Sequence, residues 1–301
     1  MRVFLTGATG FIGSRIVPEL IAAGHRVLGL ARSDDGAAAL LRAGAEVHRG
    51  SLKHPDSLAQ GAARADAVIH TAFDHDFTRF LANCEKDRRA IEAMGDVLSG
   101  SGKPFLITSG VGMGSAALGQ LAIEQRFDRD NANPRKLSEL TGEEVAAKGV
   151  SVAVVRLPQV HDTRKQGLIT PMIEIARARG FAAYVGEGNG RWSAAHVTDV
   201  AHLYRLALEQ HEPGARYHAV AEEGIPAREI AEVVGAGLGL PVRSLSPEEV
   251  AAYYGPLAHF AAYDVPASSE WTRRKLGWAP TGPGLIQDLK RMDYGAAAVH
   301  R

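Results

Sequence analysis

Three glycines close to the amino terminus restrict the folds open to this chain more than any other feature. The apolar run Val3–Thr6 leads straight into Thr6-Gly7-Ala8-Thr9-Gly10-Phe11-Ile12-Gly13. Ile12, Ile16, Leu20 and Ile21 then recur at helical spacing up to a stop at Gly24. A strand that turns on glycine into a helix gives each glycine a mechanical role: Gly7 permits the tight turn, Gly10 lets the backbone approach a pyrophosphate, and Gly13 allows close helix–sheet contact. Thr9, Phe11 and Ile12 lie between them, at the start of the helix. Pro18 removes a hydrogen bond from that helix and predicts a bend.

The pattern that follows is one of short apolar runs alternating with helical segments, the signature of crossover units around a parallel sheet. Strands are predicted at Val3–Thr6, Arg26–Leu30, Glu46–His48, Ala67–His70, Phe105–Thr108 and Val152–Arg156. A long helix is predicted from about Asp76 to Leu98, its apolar stripe running through Phe77, Phe80, Leu81, Cys84, Ile91 and Leu98. Beyond Pro158 the pattern loosens. Leu168–Arg179 is helical, Tyr184–Trp192 extended, Thr198–Glu209 helical with Thr198 as N-cap, and Ala227–Leu238 and Pro247–Tyr254 are two further helices.

The expected fold is therefore α/β: a Rossmann-type doubly wound parallel sheet with a smaller C-terminal α/β substrate-binding domain. Residues 1–160 and about 194–220 are assigned to the first, about 161–193 and 221–301 to the second. Tyr253, Tyr254, Phe260, Tyr263, Trp271 and Trp278 crowd one stretch of a chain that is 6% aromatic. This cluster is expected to divide between the core of the smaller domain, which claims Trp278, and an apolar substrate cavity, to which Tyr254 is assigned.

Composition narrows the partners. Among 301 residues, 34 basic side chains balance 34 acidic ones, so no basic surface argues for nucleic acid or an anionic membrane. A single cysteine, Cys84, rules out an internal disulfide. The start lacks a secretory pattern, and no apolar run approaches the roughly 20 residues of a membrane span. A cytoplasmic monomer or homodimer acting on a small molecule is the expectation.

The Thr6–Gly13 turn resembles the fingerprint of the extended and atypical branches of the short-chain dehydrogenase/reductase superfamily, which include the NAD-dependent epimerase/dehydratases. Four further segments are similar in order: Asp66–Ala72, Arg156-Leu157-Pro158-Gln159-Val160, His196-Val197-Thr198-Asp199-Val200-Ala201 and Arg274–Pro280. The resemblance implies that Thr71, Ala72 and Phe73 pass beside the nicotinamide ribose and that Leu157 and Pro158 lie near the carboxamide. It also puts Ser51 and Leu52 near the adenine. At the end of the second strand an acid accepts from the ribose hydroxyls in NAD enzymes, whereas a guanidinium suits a 2′-phosphate. Here stand Arg32 and Ser33, and the expected cofactor is NADP(H).

The resemblance breaks at the catalytic residues. Most members use Tyr-x-x-x-Lys, but this chain has no tyrosine before Tyr184. Counting back from Glu139 puts Asn131 in the tyrosine slot and Arg135 in the lysine slot, within about one residue, and so assigns Arg135 to the cofactor. Asp87 falls where many members have a helix asparagine. Ser109 and Thr108 keep hydroxyls at the end of the fifth strand as catalytic candidates able to orient the substrate oxygen, with Thr108 also assigned to the cofactor and Ser109 to substrate. His75, in Phe73-Asp74-His75-Asp76-Phe77, is the candidate proton relay; the competing reading is that Asp74 or Asp76 caps the next helix and His75 is merely exposed. His161, beside Asp162, is a further substrate candidate. No serine-hydrolase elbow, phosphate loop or metal-ligand spacing is present. The leading reading is an NADP(H)-dependent oxidoreductase of a small, partly apolar carbonyl or conjugated compound. A noncatalytic NADP(H)-binding redox sensor and a nucleotide-sugar epimerase/dehydratase are the alternatives.

Overall fold

The structure is a computed structural model that describes residues 1–295. Its first half alternates strand and helix: β1 (Arg2–Thr6), α1 (Gly13–Ala22), β2 (Arg26–Ala31), α2 (Asp34–Arg42), β3 (Glu46–Arg49), α3 (Pro55–Ala63), β4 (Ala67–His70), α4 (Phe80–Leu98), β5 (Pro104–Gly110), α5 (Leu137–Ala147) and β6 (Ser151–Leu157). There follow β7 (Gln159–His161), α6 (Ile169–Arg179), β8 (Ala182–Val185), β9 (Arg191–His196), α7 (Val197–Glu209), β10 (Arg216–His218), β11 (Glu222–Pro226), α8 (Ala227–Leu238), β12 (Val242–Leu245) and α9 (Glu249–Tyr254). Three short helices complete it: α10 (Ala258–Ala261), α11 (Glu270–Leu276) and α12 (Leu285–Arg291).

Seven parallel strands form one sheet in the order β3-β2-β1-β4-β5-β6-β10. Covered on both faces, its central strands are apolar almost throughout, as parallel sheets require; β4 is buried at every position. On one face Ile16 and Leu20 of α1 and Val200, Leu203 and Tyr204 of α7 seal the sheet. On the other Leu58, Ile91, Met94 and Val145 do so from α3, α4 and α5. The order reverses between β1 and β4, so the loops leaving their carboxyl ends diverge and open a crevice there. Two small sheets, β11-β9-β7 and β12-β8, accompany a second core around Ile173, Trp192, Ile230, Tyr253 and Phe260.

Several local expectations are corrected. The cap of α7 is His196, whose ring accepts from the Thr198 amide, because the chain turns at the end of β9 two residues before Thr198. Leu81 is 67% exposed and takes no part in the α4 stripe. Trp278 packs not in the smaller core but in that of the large sheet, where its indole donates to the Asp199 carbonyl at 3.0 Å. The carboxyl-terminal segment thus returns to the first core before α12 joins the second.

One buried cluster ties β6, α5 and β10 together. Arg156 makes a two-pronged pair with Glu139 at 2.8 and 2.8 Å and donates to Nε2 of His218 at 3.1 Å, while Nδ1 of that ring donates to the Ser268 carbonyl at 2.8 Å. Burial, and then the Arg156 charge, push the His218 pKa down to about 3. The unfolded chain gains this proton near pH 6.5 and the folded one does not until about 3, so acidification through that interval favours unfolding. Urea unfolding should show stability falling below pH 6.5, with His218 contributing a slope of up to about 1.4 kcal/mol per pH unit that His218→Gln removes. Stability that rises on acidification would contradict this.

Candidate functional site

The crevice floor is the glycine turn. Gly7 adopts φ +68°, and a Cβ there would lie 2.6 Å from Thr71 Oγ1 and 2.8 Å from the Ala72 amide; a Cβ on Gly13 would lie 2.1 Å from the Gly7 carbonyl. Both are glycine because protein backbone passes too close. Gly10 differs, since it has no positive φ and a Cβ would meet only the Gly7 carbonyl, at 3.1 Å. The space beside it opens toward the crevice. No side chain caps α1 and no acid sits in its first turn, which leaves the amides at Phe11 and Ile12 available to an anion. Thr9 is exposed at the same rim.

At the end of β2, Arg32 is exposed. Asp34, the first acid after the strand, is paired with Arg49, and Ser33 caps α2 by accepting from the Gly36 amide at 3.2 Å. Ser51 holds the turn after β3 through the Lys53 amide and Ser57, and Leu52 packs half-buried against the core beneath.

Beyond β4 lies a buried polar network centred on Asp87. Its Oδ1 accepts from His70 Nε2 at 3.0 Å, and its Oδ2 accepts from Arg135 Nη1 and Ser138 Oγ, each at 2.6 Å. Burial would raise this carboxyl, but the Arg135 charge and the His70 and Ser138 hydrogen bonds outweigh it and hold the pKa well below the usual range. An ionised Asp87 places the His70 proton on Nε2, so Nδ1 accepts from Thr6 Oγ1 at 2.6 Å. Thr6 Oγ1 in turn accepts from the Ala72 amide at 3.2 Å, and its carbonyl accepts from Thr71 Oγ1 at 2.8 Å. Arg135 also donates to the Thr108 carbonyl at 2.8 Å, and its guanidinium lies 4.2 Å over the Phe73 ring. The loops after β1, β4 and β5 are thereby fixed to one carboxylate.

Residues 3–94 match the NAD dependent epimerase/dehydratase family. Over 98% of its length the chain is 45% identical to an uncharacterized protein of Schizosaccharomyces pombe, all of which is covered. Over 96% it is 43% identical to an uncharacterized protein of Saccharomyces cerevisiae, of which 98% is covered. The chain belongs to the NAD dependent epimerase/dehydratase family. A human epimerase family protein with NADPH superimposes at a TM-score of 0.74 and 22% identity, over 98% of this chain and 100% of that one, a likeness of fold.

The family is one of NAD(P)-binding short-chain dehydrogenase/reductases, and the open side of Gly10 with the uncapped start of α1 fits the pyrophosphate of such a dinucleotide. Leu157 and Pro158 stand half-buried at the end of β6, beside Gly110 of β5.

The catalytic and substrate candidates fare unequally. Ser109 is 96% buried, at 4% exposure, and its Oγ has no hydrogen-bond partner among the described residues. Thr108 is not free: its hydroxyl donates to the His70 carbonyl at 2.7 Å and accepts from Tyr204 at 2.6 Å, so the expectation that it acts on substrate is corrected. His75 stands exposed at the crevice mouth. Crowding by neighbouring side chains, then the Arg135 and Lys165 charges, lower its pKa to about 4, and Asp76 caps the turn that follows, as the competing reading has it. His161 is fully buried, its Nδ1 bound to Asp288 at 2.7 Å and its ring packed on His196, while its Nε2 has no hydrogen-bond partner among the described residues. Tyr254 belongs to the smaller core and gives its hydroxyl to the Ala183 carbonyl at 2.7 Å. It helps line an inner cavity of about 40 Å³, with room for water only, and an open recess of about 470 Å³ shared with Ile175, Arg179 and Pro256. Cys84 is buried, its thiol pushed up to about 11 by desolvation, and is no nucleophile.

Sequence reasoning missed Asn133 and its link to Tyr263 of the aromatic cluster. The spacing Asn131-x-Asn133-x-Arg135 was visible, but what these side chains reach was not. Asn131 donates to the Gly112 carbonyl at 3.4 Å and Asn133 to the Tyr263 hydroxyl at 2.7 Å. Truncating the hub exposes its energetic role: Asp87→Ala leaves Arg135 without its buried partner and should cost about 3–5 kcal/mol in denaturant unfolding. A loss under about 1 kcal/mol, the range of an exposed ion pair, would show that the network is not cooperative.

Proposed function

We propose that this protein is an NADP(H)-dependent reductase of a small, partly apolar carbonyl or conjugated compound. The observation that carries the reading is the unpartnered, buried Ser109 hydroxyl at the carboxyl end of β5, because a buried donor without a partner is costly and a substrate oxygen would satisfy it. When bound, the nicotinamide supplies hydride. The chain's own residues do the rest: Gly10 and the α1 amides take the pyrophosphate, and Arg135 offers its remaining N–H groups toward the ribose from a position fixed by Asp87. Ser109 orients the substrate oxygen, with Phe73 and Leu157 excluding water. A permanently charged guanidinium in the lysine slot contributes electrostatics without exchanging a proton. The test is loss of NADPH absorbance across aldehydes, ketones and enones. Turnover supports the reading; tight NADPH binding with no turnover on any class would overturn it in favour of a noncatalytic sensor.

The choice of NADP(H) rests on Arg32, exposed where an NAD enzyme would place an acid. NADPH should bind at least about tenfold tighter than NADH, equivalent to roughly 1.4 kcal/mol, and Arg32→Ala should erase most of that preference. Titration of protein fluorescence decides it, and equal wild-type affinities would contradict the assignment.

A further inference from the structure

A carbonyl reductase must deliver a proton as well as a hydride, and Ser109, with its high-pKa hydroxyl, is a poor net acid. The chain contains seven tyrosines, all within the described residues. Most are spent elsewhere. Tyr204 donates to Thr108 behind the sheet, Tyr253 and Tyr254 donate to the Phe181 and Ala183 carbonyls, and Tyr184 accepts from Arg228. Tyr263 alone is tied to the segment that carries Arg135. Its hydroxyl accepts from Asn133 Nδ2 at 2.7 Å, and the orientation of that amide is settled because Asn133 Oδ1 accepts from the Arg135 amide at 2.9 Å. Two residues beyond Tyr263, Val265 packs near Gly112, which lies three residues past Ser109.

The surroundings describe the substrate. Arg135 covers Phe73 at 4.2 Å; Phe73 meets Phe80 at 6.2 Å, Phe80 meets Phe260 at 5.7 Å, and Phe260 meets Tyr263 at 5.3 Å between ring centroids. Through Asn133 the chain of contacts closes back on Arg135. The circuit is aromatic along one arc and polar at Asn133 and Arg135, so it suits a flat conjugated body with one carbonyl oxygen. Its acids are engaged: Asp74 binds Lys86 and Asp76 caps the turn at Phe77.

We infer that Tyr263, brought from the far end of the chain, is the catalytic phenol that holds and protonates the substrate oxygen of a planar conjugated carbonyl compound. The inference rests on the reductase reading above. With hydride from the bound NADPH taken up at the carbonyl carbon, the C=O π pair moves to oxygen, which takes the Tyr263 proton. The products are alcohol and oxidised cofactor, and the phenolate regains a proton from solvent by way of His259, whose exposed ring lies 3.4 Å from the hydroxyl.

The test is Tyr263→Phe, which keeps the ring packed on Phe260, assayed on the NADPH-loaded protein with cinnamaldehyde and, for binding alone, the unreactive cinnamamide. We expect kcat to fall about a hundredfold or more, cinnamamide affinity to fall about tenfold, and NADPH affinity to stay within about twofold. Wild-type turnover by the variant would overturn the role of Tyr263 and leave the reductase reading standing. If the wild-type protein reduces no carbonyl, the reductase reading and the proton transfer both fall. Cinnamamide binding that depends on Tyr263 would then support its place as the carbonyl-binding group, and binding that ignores it would overturn that too.

Discussion

The site depends on one buried carboxylate. Asp87 is 1% exposed and accepts from His70, Arg135 and Ser138. An ionised group so placed is tolerable only because all three donors converge on it. The requirement runs both ways. Arg135 is held against Thr108 and Phe73, His70 is fixed in one tautomer, and Thr6 is thereby oriented to receive the Ala72 amide. The three loops that form the crevice are set by a single charge.

This arrangement explains how a member of the epimerase/dehydratase family is built without the Tyr-x-x-x-Lys pair. A lysine in that slot is a flexible point charge that tunes a neighbouring phenol. An arginine is a rigid fork that keeps its proton and spends several donors on fixed acceptors. The phenol then need not lie one helical turn from the cation. On the proposal made above it is Tyr263, held by Asn133 at 2.7 Å, from a region of the chain that packs against the smaller core.

Much of the frame was legible in the sequence because it is set locally. The strand runs through Val152–Arg156 fall within observed strands, and Ala67–His70 coincides with β4, since continuous apolar runs between glycines and helical segments leave little choice. The turn was legible for a stronger reason: Gly7 and Gly13 are demanded by backbone contacts at 2.8 Å and less. What failed was what depends on distant partners. Thr108 and Ser109 look equivalent in sequence, yet Tyr204, 96 residues away, consumes one hydroxyl and leaves the other. His161 was a substrate candidate by its place beside Asp162, yet its ring is bound by Asp288, 127 residues away, and Tyr263 lies 130 residues from the asparagine that holds its hydroxyl.

The claim that Asp87 acts on the cofactor through Arg135 is tested most directly by a double-mutant cycle on NADPH affinity, using Asp87→Asn, Arg135→Ala and the pair together. If the carboxylate works by positioning the guanidinium, each single change weakens binding by about tenfold and the double variant is no weaker than Arg135→Ala alone. Losses that multiply to about a hundredfold would mean that the two residues act independently, and would contradict the account of a site organised around one buried charge.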